Sequence, residues 1–279
     1  MVPAQRIAEN LAFINWTVLA ALGLGAFGAV VLARLRTDAT RGYLAFTAAC
    51  AAAFGLLAYL SDRALPTGAG GTAAVPIDPT FDGPRRTALL AFTVIAVAYT
   101  VVLARRGRAP WLGLTGVAAG VGAFVLGALG WGGGFPTSFV LIGQTLLLAG
   151  ATGGVFAAMI LGHWYLVTPK LPEGPLVLFA RLLLAIVVVQ LIFFVVSVAL
   201  GSGAGGGAFA PLVGPWALFV WLRLLVGLIF PMVVSWAAIQ TARTRSMESA
   251  TGLLYINVGT IAAATIVASG LYFGAGLLV

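Results

Sequence analysis

The side chains that could do chemistry are few in this sequence, and several of them lie inside long apolar segments. The chain has one histidine, His163, and one cysteine. Arg181 and Arg223 each interrupt an apolar segment that contains no Asp or Glu. Ionisable groups inside a membrane are costly, and they commonly mark sites for ligands, ions or substrates. These three residues are therefore the first candidates for a binding site.

The histidine belongs to a polar stripe in the fifth apolar segment. Thr145, Thr152, Met159 and His163 follow one another at intervals of 7, 7 and 4 residues, which predicts one face of a helix. Such a face, with Tyr165 beside it, could contact a quinone, relay protons or ligate haem iron through His163. With one histidine, haem would need Met as its second ligand, five-coordinate iron, or a second subunit. A hydrogen-bonded histidine at the membrane interface is the simpler alternative.

Arg181 lies about two turns into the sixth segment. The connection to the fifth segment is short, so we expect the two helices to be antiparallel neighbours, with His163 and Arg181 at similar depth. Together they would suit a quinone carbonyl, a phospholipid phosphate or a haem propionate. Alternatively, the Arg181 side chain reaches the headgroups by itself.

Arg223 is the deepest charge, about two turns into the seventh segment. No acidic residue lies inside the apolar segments, and burying an unpaired Arg costs roughly 2.5–3.5 kcal/mol. We expect Arg223 to reach outward, cap backbone carbonyls or meet an anionic ligand. Pro231 follows in the same segment and predicts a kink, which could border a cavity or simply bend the helix.

Two further patterns concern packing and partners. The motif Gly23-Leu-Gly25-Ala-Phe-Gly28 matches a dinucleotide fingerprint formally, but no strand precedes it and it lies inside an apolar segment. It indicates close helix packing instead. The connection between the seventh and eighth segments is unusually polar, which predicts a contact surface for a partner at Arg245, Ser246, Glu248 and Ser249.

The elements that position these residues are apolar runs of membrane-spanning length. Hydrophobic residues make up 61% of the 279 residues and charged residues 8%, a balance typical of integral membrane proteins. About 20 apolar residues span a bilayer as a helix. We therefore predict an all-α, polytopic membrane protein with eight transmembrane helices: Asn10–Ala33, Gly42–Ser61, Thr87–Ala104, Trp111–Trp131, Ser138–Thr168, Pro175–Leu200, Pro215–Ala242 and Ala250–Leu278.

The loops predict the orientation of a single membrane domain over residues 1–279. Arginines follow the first, third and seventh segments, which predicts cytoplasmic loops there and both termini outside the cell membrane (the inner, cytoplasmic membrane). Residues 62–86 are rich in Pro and Gly and predict an irregular external loop. Residues 201–214 predict a Gly-rich external loop.

Composition also narrows the function classes. The basic residues are scattered over several loops, which argues against nucleic-acid binding. No His/Cys/Asp/Glu cluster or Ser-His-Asp set indicates catalysis, so we expect no catalytic activity of its own. We expect the protein to be a binding or scaffold subunit of a membrane assembly, for which a respiratory or redox assembly is plausible. The subunit itself would hold a quinone, lipid or haem between the fifth, sixth and seventh segments. Its partners would be lipids and other subunits or copies of itself. The alternative is a carrier or channel for an anionic or amphipathic solute.

Overall fold

The fold is entirely helical over the residues that the structure, a computed structural model, describes: 2–66, 73–105, 107, 109–168, 171–201 and 207–279. Eight helical spans are long and apolar enough to cross a membrane, which confirms the predicted fold class. The α-helices are α1 (Pro3–Glu9), α2 (Leu11–Arg36), α3 (Arg41–Asp62), α4 (Asp82–Ala104), α5 (Pro110–Trp131), α6 (Phe135–Val167), α7 (Gly174–Ala199), α8 (Ala217–Leu224), α9 (Phe230–Arg243) and α10 (Met247–Ala275).

The seventh span consists of α8, a π-helical turn (Leu225–Ile229) and α9. The turn ends two residues before Pro231, whose ring nitrogen cannot donate a hydrogen bond to the preceding turn. A π turn widens the helix locally and rearranges its hydrogen bonds, and such turns occur often at functional sites. The helix therefore changes type just before Pro231, where the sequence predicts a kink.

The helix boundaries differ from the sequence prediction mainly after α3. A 3₁₀ turn (Pro79–Phe81) leads directly into α4, which begins at Asp82, five residues before the predicted start. Part of the stretch predicted as an irregular loop is therefore helical. Of the two predicted external loops, residues 67–72 and 202–206 lie outside the described residues, and a second 3₁₀ turn spans Ala210–Leu212.

The spans form two four-helix bundles that follow the chain order. In the first bundle α2 packs on α3, α3 on α4, α4 on α5, and α5 returns to α2. In the second bundle α6 packs on α7, α7 on α9, α9 on α10, and α10 returns to α6. Contacts of α2 with α6 and α10 join the bundles. The junction between them is therefore built around α2 and α6.

The crossing of α2 and α6 depends on glycine. A Cβ atom on Gly25 would lie 1.8 Å from the carbonyl oxygen of Ala149, and one on Gly153 would lie 2.2 Å from the nitrogen of Ala26. Only glycine permits this approach, which brings the two backbones into van der Waals contact. The packing role predicted for the Gly23–Gly28 motif is confirmed at Gly25.

The two ends of the molecule differ in their connections. At one end, here called the terminal end, lie both chain termini and the long connection between α3 and α4. At the other, the short-loop end, brief connections join α2 to α3, α4 to α5, α6 to α7 and α9 to α10. Described arginines at the short-loop end include Arg34, Arg36, Arg41, Arg105, Arg243 and Arg245.

Candidate functional site

The polar stripe of α6 faces α10. The hydroxyls of Thr152 and Thr265 lie 2.7 Å apart in the buried interface. His163 is exposed, and its Nδ1 lies 3.5 Å from the hydroxyl of Tyr255 on α10. Met159 is partly buried and packs on the core. The sequence gives the stripe its register, but the neighbour that it faces depends on tertiary packing.

His163 and Arg181, which we expected to form one site, are not joined in the described structure. Arg181 is exposed on α7 and makes no hydrogen bond or ion pair there, whereas His163 faces α10. Tyr165 is buried, and its hydroxyl donates to the carbonyl oxygen of Pro172 in the next connection. Thr145 is also buried and donates to backbone carbonyls of its own helix.

A haem whose iron is ligated by both Met159 and His163 does not fit the described helices. Met159 and His163 lie one turn apart on the same face of α6, so they cannot ligate one iron from opposite sides. His163 itself is exposed and lines none of the cavities described below. The residues present therefore provide no enclosed pair of axial ligands.

Arg223 is buried at the end of α8, beside the π turn. Its Nη2 donates to the side-chain oxygen of Gln190 at 2.8 Å, and the Gln190 amide donates to the carbonyl oxygen of Leu147 at 2.9 Å. Nε and Nη1 of Arg223 have no hydrogen-bond partner. The guanidinium thus meets a neutral amide rather than an acid, a partner that the sequence prediction missed. The signal was present, since Gln190 lies on the face of its helix opposite Arg181.

A polar contact between α9 and α10 lies beyond the π turn. The Asn257 amide donates to the hydroxyl of Ser235 at 2.8 Å, and both residues are buried. It also lies 3.5 Å from the carbonyl oxygen of Pro231. These bonds connect the two helices one to two turns beyond the π turn.

A buried ion cluster at the terminal end was not predicted. Asp62 accepts from Arg85 Nε at 2.6 Å, from Trp16 Nε1 at 2.9 Å and from Arg86 Nε at 3.2 Å. Arg85 and Asp62 are both almost fully buried, and the Arg85 guanidinium lies 4.7 Å from the ring centre of Trp131. One carboxylate therefore links α2, α3 and α4. In the sequence these charges belong to a loop rich in Pro and Gly, so their burial was not apparent.

An apolar cavity of about 250 Å³ lies where the two bundles meet. Helices α2 and α6 form its floor, and α5 and α7 flank it without packing closely on each other. We call it the inter-bundle cleft. Its lining is Leu24, Gly25, Gly28, Ala29, Leu32, Val117, Val121, Leu146, Gly150, Gly154, Phe179, Leu182, Leu183 and Ile186.

Glycines create much of this space. A Cβ atom on Gly28 or Gly154 would meet no heavy atom within 4 Å, and one on Gly150 would lie 3.1 Å from Cδ1 of Ile186. Gly25 and Gly153, one to three residues away, are in contact with backbone instead. Glycines of α2 and α6 therefore serve both packing and the formation of the cleft. For the Gly23–Gly28 motif the sequence predicted packing alone.

A depression of about 460 Å³ lies at the short-loop end, beside Tyr165. Arg245, which adopts a left-handed backbone with φ of 60°, donates to the carbonyl oxygen of Leu171 at 3.3 Å and lies 3.7 Å from Glu173. Of the four residues predicted as partner contacts, three line the depression: Arg245, Ser246 and Glu248. The fourth, Ser249, accepts a hydrogen bond of 3.0 Å from the hydroxyl of Ser246.

No protein-family model matches the chain, and no curated protein is similar to it in sequence. Over the described residues, no group of three or more His, Cys, Asp or Glu side chains could hold a metal ion. The function is therefore inferred from the contacts within the chain itself.

Proposed function

We propose that this chain is an integral membrane binding and scaffold protein that holds the apolar chain of a lipid-phase molecule, a lipid or a quinone, in the inter-bundle cleft. The observation that carries the proposal is the cleft itself. It is an apolar cavity, flanked by helices that do not close it, in a protein whose spans are surrounded by lipid.

The lining of the cleft supports an apolar chain as its occupant. Its side chains are aliphatic or aromatic, with no charged group among them. A single water needs roughly 10–15 Å³ and several polar partners, so a cavity of about 250 Å³ with this lining is large yet unsuited to water. An apolar void loses dispersion contacts, whereas a chain from the bilayer restores them.

Several finer expectations belong to the same proposal. The arginines at the short-loop end favour a cytoplasmic position for that end in the cell membrane. The depression beside Tyr165 is the surface on which another subunit or a second copy would dock. A role in a respiratory or redox assembly would depend on a quinone in the cleft, since the residues do not fit an enclosed haem.

A pair of glycine substitutions on α6 tests chain binding. Gly154→Leu fills the cleft, whereas Gly143→Leu adds the same side chain at an exposed position outside it, and the space around both Cβ positions is free. We expect native mass spectrometry of protein extracted in mild detergent to show several-fold less retained lipid or quinone for Gly154→Leu. Equal retention by the two variants would refute the proposal.

The second candidate function is a carrier for an anionic or amphipathic solute, and Arg223 favours it. A buried guanidinium with two unpartnered nitrogens beside a π turn could meet an anion during a transport cycle. Liposome uptake of fluorescent carboxylates by the unmodified protein, Arg223→Met and, as a control, Arg181→Gln tests this. Uptake that Arg223→Met abolishes supports the carrier, and uptake that both variants leave unchanged rejects it.

A further inference from the structure

We propose that the inter-bundle cleft selects an anionic phospholipid, whose phosphate binds Arg36 at the short-loop end. This inference rests on the proposed chain-binding role of the cleft and names the class of its ligand. It separates an anionic lipid from a quinone, because a quinone head carries no charge for Arg36 to recognise.

The position of Arg36 follows from the register of α2. Gly25, Ala29 and Leu32 line the cleft, and Arg36 lies seven residues beyond Ala29 and four beyond Leu32. These intervals place it on the same stripe of the helix, about 6 Å further along the axis than Leu32. The side chain is exposed and makes no hydrogen bond or ion pair within the described part of the chain.

The depth of Arg36 suits a phosphate. Arg36 is the last residue of α2 and lies at the short-loop end. At the same end α5 begins at Pro110, and its second residue, Trp111, is exposed. Tryptophan at such a position is typical of the headgroup region. A phospholipid whose chain lies along α2 in the cleft would therefore carry its phosphate at the level of Arg36.

The exposed arginine that continues the α2 stripe lies beyond one end of the cleft, whereas toward the other end the buried Arg223 guanidinium is held by Gln190, one turn beyond Ile186. The lining toward the terminal end is apolar and includes Leu24, Leu146 and Ile186. Beyond the opposite end lie Arg36 and further arginines of the short-loop end. One basic residue near an anionic lipid surface contributes about 1 kcal/mol, which corresponds to about a fivefold preference. The arrangement therefore orients the lipid as well as selecting it.

A simpler role for Arg36 makes a different prediction. A cation in the last turn of a helix interacts favourably with the helix dipole, and arginines at the cytoplasmic end set orientation. Neither effect depends on a lipid chain in the cleft or distinguishes one bound headgroup from another. Headgroup preference at the cleft is therefore the quantity to measure.

The experiment is a titration of the detergent-solubilised protein with phosphatidylglycerol and with phosphatidylcholine of identical chains, followed by native mass spectrometry. We expect the unmodified protein to bind the anionic lipid about fivefold more tightly. Arg36→Gln should bind both lipids about equally while retaining chain binding. Arg243→Gln is the matched control, because it removes an exposed arginine at the same end of the molecule on α9, a helix that contributes no residue to the cleft, and it should keep the preference.

The outcomes separate the two proposals. If Arg36→Gln keeps the preference of the unmodified protein, or Arg243→Gln loses it to the same extent, the headgroup inference is wrong. If Gly154→Leu binds both lipids as well as Gly143→Leu does, chain binding in the cleft is wrong. Circular dichroism and gel filtration of each variant establish that it is folded before binding is compared.

Discussion

Replacement of Asp62 by Asn tests whether the buried ion cluster stabilises the first bundle. Asp62 is the last residue of α3, and its carboxylate is fully buried. It accepts hydrogen bonds from Trp16 on α2 and from Arg85 and Arg86 in the first turns of α4. Asn has nearly the same shape as Asp, so the substitution removes the charge while it leaves the packing almost unchanged.

The magnitude follows from burial. After the substitution Arg85 has lost its buried anion and keeps the partly exposed Asp82, whose Oδ1 lies 2.9 Å from Nη1, its position near Trp131 and a neutral amide oxygen in place of the carboxylate. Loss of one partner of a buried ion pair typically costs about 3–5 kcal/mol. The Arg86 side chain is 36% exposed, and exposed pairs contribute about 0–1 kcal/mol. We therefore expect Asp62→Asn to lower the free energy of unfolding by about 3 kcal/mol or more, and Arg86→Gln by less than about 1 kcal/mol.

Reversible unfolding in mixed micelles of mild detergent and dodecyl sulfate, followed by circular dichroism, measures both variants. A double-mutant cycle with Arg85→Met isolates the coupling, since Arg85→Met removes the charge whose buried partner Asp62→Asn has neutralised. We expect the double variant to be more stable than Asp62→Asn alone. A cost of Asp62→Asn no greater than that of Arg86→Gln would refute the reasoning.

Three further predictions concern other parts of the molecule. Gly25→Ala should destabilise the fold by at least about 1–3 kcal/mol through overpacking at the helix crossing, and an unchanged midpoint in the same unfolding assay would contradict this. Gln190→Ala should cost about 1–3 kcal/mol or more because it leaves the charged Arg223 buried without its acceptor, and adding Arg223→Met should recover most of the loss in that assay. Hydrogen bonds from Thr80, chiefly from its side chain and also from its backbone amide, lower the pKa of Asp78 below the usual 3.8, so the turn is stabilised above that pH and loses this contribution as pH falls through the lowered pKa. An NMR titration of the Thr80 amide should therefore have its midpoint below 3.8, and a midpoint at or above this value would exclude the effect.

The helices could be predicted from the sequence because lipid imposes a simple rule. A segment that spans a bilayer must be long, apolar and helical, and each of the eight runs satisfies this. The boundary at α4 was harder to predict because Arg85 and Arg86 resemble loop residues. Both pair with Asp62, 23 and 24 residues away along the chain, and Arg85 is buried there; no local pattern shows that pairing.

The candidate site was less predictable than the fold. Residues such as Thr152 and His163 were placed correctly on one face of α6, but the pairing of His163 with Arg181 assumed that this face points toward α7. The choice among the neighbours of α6 depends on how the two bundles meet. The inter-bundle cleft has the same origin, since Gly28 and Gly154 belong to helices of different bundles and leave an open space only when these helices cross.

The crossing at Gly25 and Gly153 restricts how the two halves of the protein can move. Because the backbones touch there, a rotation about this point is the relative motion that keeps the contact, whereas sliding or separation breaks it. The point acts as a fulcrum: a tilt of about 10° displaces the helix ends, ~15 Å away at the membrane surfaces, by about 3 Å. A larger side chain at this crossing would therefore change the separation of the two bundles at both membrane surfaces at once, even though the crossing lies far from either surface.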